Sequence, residues 1–282
     1  MKFEKYHALG NDYLVYDPNG GHITFSEKEI IRICHRNFGL GSDGILVGPS
    51  SSDKAHFKLQ ILNPDGSEAE KSGNGLRIFA RYLRDIEKVS TDPFQIETLG
   101  GVVSCQVSAD KTTITVEMGK VSFQSDVIPV KITGDAREIC DESIEVNGQN
   151  LKYYAATIGN PHCVIPVNQV TKDMALELGP VLENHPNFPN RTNVQFLEIL
   201  DRNRIKIEIW ERGAGYTLAS GSSSSAAGAV ARKMGACDEK ITVEMPGGEI
   251  DLIIDNQFNV QMTGPATHVA KMDLDTECLK ED

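Results

Sequence analysis

Residues 71–83 read KSGNGLRIFARYL, and residues 219–234 read ASGSSSSAAGAVARKM. Both set a serine and a glycine directly before a helix-forming run. In the first run Leu76, Phe79, Ala80 and Leu83 fall on one helical face. The second is small and apolar nearly all round, which suits a helix buried inside a sheet. At a helix start the first N–H groups lack intrahelical acceptors and stand at the positive end of the dipole, so they bind a carboxylate or phosphate. One such start is an ordinary N-cap. Two in one chain raise the question of whether they are copies.

Working outward, the two stretches prove to be parts of a longer repeat. LGNDYLVYD lines up with IGNPHCVIP, SDGILVG with TNVQFLE, and LQILNPDGSE with IEIWERGAGY. The last pairing sets Glu211 over Asn63, and the serines Ser72 and Ser220 correspond too. TTITVEMGK resembles FNVQMTGPA. These pairings keep one order and an offset of about 148 residues, the mark of an internal duplication. HFKLQIL, TTITVEM, RIKIEIW and IDLIID alternate as half-buried strands. The expected fold is therefore α/β (α+β): two pseudo-symmetric halves, each a curled mixed β-sheet around a central helix, at about 74–87 and 221–235. The expected domains are 1–120, with 266–282 returning to it, and 121–265. The change of character in EMGKVSFQSDVIP, near 118–128, marks the boundary.

The bulk properties narrow the function. The chain has 282 residues, 40% of them hydrophobic, and a formal net charge of −12. No basic cluster offers a face to nucleic acid. No run approaches the roughly 18 apolar residues of a membrane helix, and MKFEKYHALGNDYLVYD lacks the apolar core of a signal peptide. Cys34, Cys105, Cys140, Cys163, Cys237 and Cys278 are scattered, without zinc spacing, and read as reduced thiols of a cytoplasmic protein. No metal and no cofactor is expected. The expected partner is a small-molecule ligand, with a homodimer left open.

Amides cluster beside the glycines: Asn11, Asn63, Asn74, Asn160 and Asn193. Glu211 and Arg212 add a carboxylate and a guanidinium, and His162 follows Asn160-Pro161. SGNG lacks the lysine spacing of a P-loop, and no GxGxxG follows a first strand.

HALGNDYLVYD, FGLGSDGIL, LNPDGSEAEKSGNGLRIFARYL, GNPHCV, RTNVQF and WERGAGYTLASGS together resemble the diaminopimelate epimerase family. The order and spacing match from residue 3 to about 270. The resemblance implies a cofactor-independent amino-acid epimerase that converts LL- to meso-diaminopimelate, on the lysine and peptidoglycan pathway. It implies two groups facing each other across the substrate α-carbon, one removing a proton and the other delivering one. It also implies that Asn11, Asn63, Asn74, Asn160, Asn193, Glu211 and Arg212 hold the substrate, with Gly73, Gly221 and Ser222 at the helix starts.

In that family both proton-transfer groups are cysteine thiols. Here the positions hold Ser72 and Ser220, and Lys71 precedes the first where an apolar side chain is expected. A serine hydroxyl is a far weaker acid than a thiol and needs a neighbouring base. His162, Glu211 and Lys71 are the candidates. Three readings stay open: an epimerase or racemase that works with serine; a member recruited to an isomerase or dehydratase reaction or to amino-acid binding; or a Cys-to-Ser pair engineered into an epimerase. The catalytic set expected from the sequence is Ser72, Ser220, His162 and Glu211.

Overall fold

A computed structural model of the chain describes residues 1–19 and 24–280. The last two residues of the segment expected to return to the first half lie outside these. The chain divides into two compact units, Met1–Glu117 with Gly264–Asp282, and Met118–Thr263.

Unit 1 runs β1 (Lys2–Ala8), β2 (Asn11–Tyr16), α1 (Glu27–Cys34), β3 (Ile45–Ser50), β4 (Phe57–Leu62), α2 (Gly73–Asp85), β5 (Phe94–Thr98), β6 (Gly101–Val107) and β7 (Thr113–Lys120). The strand Thr267–Asp273 joins it by pairing antiparallel with β1. From there β1–β2 is antiparallel, β2–β3 parallel, β3–β4 antiparallel, β4–β5 parallel, and β5–β6 and β6–β7 antiparallel.

Unit 2 runs β8 (Glu142–Val146), β9 (Gln149–Thr157), β10 (Pro161–Pro166), α3 (Lys172–Glu183), β11 (Asn193–Asp201), β12 (Arg204–Glu211), β13 (Gly215–Thr217), α4 (Gly221–Lys233), β14 (Lys240–Met245), β15 (Gly248–Ile254) and β16 (Asn259–Pro265). Its pairings repeat the order of unit 1. β8–β9 and β9–β10 are antiparallel, β10–β11 parallel, β11–β12 antiparallel, β12–β14 parallel, and β14–β15 and β15–β16 antiparallel. The short β13 is the one addition, paired to β12. The halves are thus similar strand for strand.

Alternation explains the strands. Ile205, Ile207 and Ile209 of β12 are fully buried, as are Leu59 and Ile61 of β4. In each unit one helix lies against these buried faces. α2 packs on β1, β2, β3 and β6, and α4 packs on β9–β12, β14 and β15. The α2 face expected from the sequence, Leu76, Phe79, Ala80 and Leu83, is wholly shielded. Burying each large side chain contributes roughly 1.5–3 kcal/mol. An N-cap adds about 1. The core therefore places the helix, and the cap only shapes its first turn.

α4 is buried on nearly every side. A Cβ at Gly228 would fall 2.6 Å from Leu252 Cδ1 of β15, so the helix approaches the sheet more closely than a side chain there would permit. Its serines are satisfied within this apolar setting: Ser224 Oγ donates to Ser220 O and Ser225 Oγ to Gly221 O, each at 2.8 Å.

Candidate active site

In unit 1 Ser72 is the N-cap of α2, with extended backbone at φ −138°, ψ 117°. Its Oγ accepts from the N–H of Gly75 at 3.0 Å. A Cβ on Gly75 would crowd that same Oγ at 3.3 Å and Leu46 Cδ2 at 3.1 Å, so the glycine lets the cap close. The hydroxyl of Tyr13, on β2, lies 3.4 Å from Ser72 Oγ.

One turn into α2 a directed chain of donors begins. Arg77 Nη2 donates to Asn74 Oδ1 at 2.6 Å, Asn74 Nδ2 to Asn11 Oδ1 at 2.9 Å, and Asn11 Nδ2 to Asp43 Oδ2 at 2.8 Å. A guanidinium can only donate, so it fixes which way each amide points. Arg77 is fully buried, and its Nε and Nη1 have no acceptor among the described residues. Burial lowers its pKa to about 10, which leaves it cationic at neutral pH. Arg36 bridges Asp12 and Asp43 at the far end of the chain. Burial and the neighbouring Asp12 charge raise the Asp43 pKa; for Asp12 burial opposes ionisation, but Arg36 and Lys5 outweigh it and lower its pKa.

In unit 2 Ser220 is the N-cap of α4, at φ −147°, ψ 125°. Its Oγ donates to Glu211 Oε2 at 3.0 Å and lies 3.4 Å from Ser222 Oγ. Asn160 Nδ2 reaches Ser222 Oγ at 3.5 Å, and Asn160 Oδ1 lies 2.9 Å from His162 Nε2. Asn193 ties two strand ends together: its Nδ2 donates to Pro161 O at 2.9 Å and its Oδ1 accepts from Arg212 N–H at 3.0 Å. The tight turn after Glu211 is gripped from α3, where Glu183 Oε1 accepts from Gly213 N–H at 2.9 Å and Oε2 from Trp210 Nε1 at 2.7 Å.

Within each unit, then, most of the residues expected from the sequence do meet. Asn11, Ser72, Gly73 and Asn74 gather at the start of α2. Asn160, Glu211, Ser220, Gly221 and Ser222 gather at the start of α4, with Asn193 and Arg212 beside them. Asn63 differs, for its side chain is held in a local turn, where Nδ2 donates to Ser67 Oγ at 2.9 Å.

His162, expected from the sequence as a base, lies beside Asn160. The ring is completely buried, with Nε2 2.9 Å from Asn160 Oδ1. Burial drops its pKa to about 3, so it is neutral, and the proton facing Asn160 Oδ1 sits on Nε2. Lys71 is half-buried, and desolvation lowers its pKa, with Cys105 as a neighbour. Cys163 sits in the core of unit 2. All six cysteines are free thiols, and burial pushes Cys163 well above the ordinary thiol range.

Sequence reasoning passed over Tyr13, Asp43, Arg77 and Gln195, whose Nε2 donates to Ser223 Oγ at 3.0 Å. None of these had a visible signal: Arg77 falls with Arg81 and Arg84 on the basic side of α2, and only the fold buries it.

The arrangement can hold a carboxylate at either helix start and move a proton through a serine. Glu211 can take the Ser220 proton directly.

The diaminopimelate epimerase family model matches residues 3–124 and 154–269. The chain is 57% identical over 277 residues to diaminopimelate epimerase 2 of Nostoc sp. (strain PCC 7120 / SAG 25.82 / UTEX 2576), covering 98% of this chain and 96% of that one. It is 40% identical to diaminopimelate epimerase of Desulfitobacterium hafniense, covering 96% and 97%. Among solved structures, a hydroxyproline epimerase from Agrobacterium vitis with bound trans-4-hydroxy-L-proline shares the fold, with a TM-score of 0.70, 15% identity and coverage of 96% and 91%. A phenazine biosynthesis protein of the PhzF family from Bacillus anthracis shares it at a TM-score of 0.67 and 16% identity, covering 96% and 98%. On the family match and the extent of these relatives, the chain belongs to the diaminopimelate epimerase family.

Proposed function

We propose that the chain is a cofactor-independent amino-acid epimerase that converts LL- to meso-diaminopimelate, with serine hydroxyls doing the work of thiols. Family membership and the names of its full-length relatives support the substrate. The observation that carries the chemistry is the 3.0 Å hydrogen bond from Ser220 Oγ to Glu211 Oε2. A serine needs a base to remove an α-proton, and a carboxylate within hydrogen-bond reach is one.

Inversion needs one group to take the α-proton from one face and another to return a proton to the opposite face. By family resemblance these two groups are Ser72 and Ser220, each an N-cap of its own helix. In the forward sense Ser220 Oγ takes the α-proton while its own proton passes to Glu211. Ser72 Oγ–H then protonates the carbanion. N–H groups at a helix start suit an α-carboxylate and the charge that develops on it. Asn11, Asn74, Asn160, Asn193, Arg212 and Ser222 supply the polar contacts for the rest of the substrate. The repeated pairing order of the two units supports an internal duplication as their origin, and a biosynthetic role of this kind a cytoplasmic location.

The test is α-proton exchange of LL-diaminopimelate in D₂O, followed by NMR, for the parent chain and a Ser72→Cys/Ser220→Cys variant. Exchange and meso product from the parent support the reading. Turnover by the double variant alone sinks the serine chemistry and keeps the substrate. Neither reacting sinks the substrate as well.

A further inference from the structure

Ser220 has a carboxylate on its hydroxyl; among the described residues Ser72 has none. The Oγ of Ser72 accepts from Gly75 N–H and has the Tyr13 phenol 3.4 Å away, with either oxygen able to donate. We propose that Tyr13 is the proton partner of Ser72, a positioning residue that aims its hydroxyl and restores its proton each time Ser72 protonates the carbanion. The inference rests on the epimerase reading above.

The ring is built in place. Tyr13 sits in β2 opposite Tyr6 of β1 and is 7% exposed. Gly44 clears the space beside it: a Cβ there would fall 2.7 Å from Tyr13 Cε1 and 2.5 Å from Leu62 O. Packing alone needs only the ring, yet the hydroxyl is delivered to the capping serine. The 3.4 Å separation is long for O–H···O, and such contacts tighten when substrate closes the site.

In the proton-delivery step the Ser72 O–H bond breaks as the new Cα–H bond forms, its electron pair staying on Oγ. The Tyr13 O–H bond breaks in turn, its proton passes to Ser72 Oγ, and the phenolate regains a proton from water. No oxidant or co-reactant is needed. The halves thereby differ in kind. At neutral pH a carboxylate is ordinarily ionised and ready to accept, whereas a phenol is ordinarily protonated and ready to give. Glu211 suits Ser220 to proton removal, and Tyr13 suits Ser72 to proton delivery.

The test is Tyr13→Phe, which keeps the ring and removes one oxygen, assayed in D₂O from pure LL- and from pure meso-diaminopimelate. Two quantities are followed by NMR: inversion, and deuterium entering substrate that returns uninverted. We expect inversion to fall about tenfold or more in both directions, within the range of general acid–base effects. Returned exchange should persist from the isomer whose proton Ser220 takes and disappear from the other. Ser72→Ala should show the same one-sided pattern, and Glu211→Gln the opposite one. Inversion within twofold of the parent would overturn the inference. So would an equal loss of exchange from both isomers, the mark of a structural role. A parent chain that exchanges neither isomer overturns the epimerase reading and this inference with it, whereas an active parent with an indifferent Tyr13→Phe overturns the inference alone.

Discussion

Ser220 Oγ donates to Glu211 Oε2 at 3.0 Å while also capping α4. One hydroxyl thus shapes a helix start and faces a carboxylate. The corresponding position in the first half of the sequence is Asn63, whose side chain is occupied by Ser67. The two halves share their strand pairing and differ in the chemistry at their helix starts.

Replacing Glu211 by glutamine keeps an acceptor for Ser220 and removes the base. Isotope exchange from the isomer whose proton Ser220 takes should fall by about a hundredfold or more, with little change in substrate affinity. Isothermal titration beside the D₂O assay checks this. Unchanged exchange would remove Glu211 from the mechanism.

Ser72→Ala and Ser220→Ala each leave the cap hydrogen bond unmade. Each should cost about 1 kcal/mol of stability in urea unfolding. Losses of several kcal/mol would mean that the caps, rather than the buried faces, place these helices.

Arg77→Met should separate stability from function. The substitution removes two buried donors that have no acceptor among the described residues, each costing about 1–3 kcal/mol when left unsatisfied. The urea midpoint should hold or rise. Asn74 and Asn11 lose the group that orients them, so affinity for diaminopimelate should fall by about tenfold. A loss of both would show that the cation itself holds the fold.

His162 sets a pH dependence. Its folded pKa is lowered from 6.5 to about 3 by burial. Between these values the unfolded chain binds a proton that the folded chain refuses, so this contribution is intact above about pH 6.5 and is lost as pH falls toward 3. The slope is about 1.4 kcal/mol per pH unit. His162→Gln should lack this component when urea unfolding is compared at pH 7.5, 6 and 5. Equal slopes in both proteins would count against a neutral buried ring.

Much of this was legible in the sequence because it is local. A serine three residues before the N–H it accepts, an apolar stripe repeating every three or four residues, and strands that alternate are all written within a few positions of each other. That is why α2 and α4 begin at Gly73 and Gly221, directly after the serines that open the quoted stretches. The repeat was legible too, since both halves keep their strands in one order.

The partners of the two serines were decided by tertiary structure. Glu211 precedes Ser220 by nine residues across a turn gripped by Glu183, and Tyr13 lies 59 residues before Ser72 on another strand. His162 looked like a base from its place beside Asn160. Packing on every side stripped its water and left it neutral. The sequence by itself determined where the hydroxyls stand on their helices, because capping and amphipathicity depend on neighbours along the chain. Which of those hydroxyls meets a carboxylate, a phenol or only the backbone was settled by the fold, because burial and long-range hydrogen bonds depend on neighbours in space.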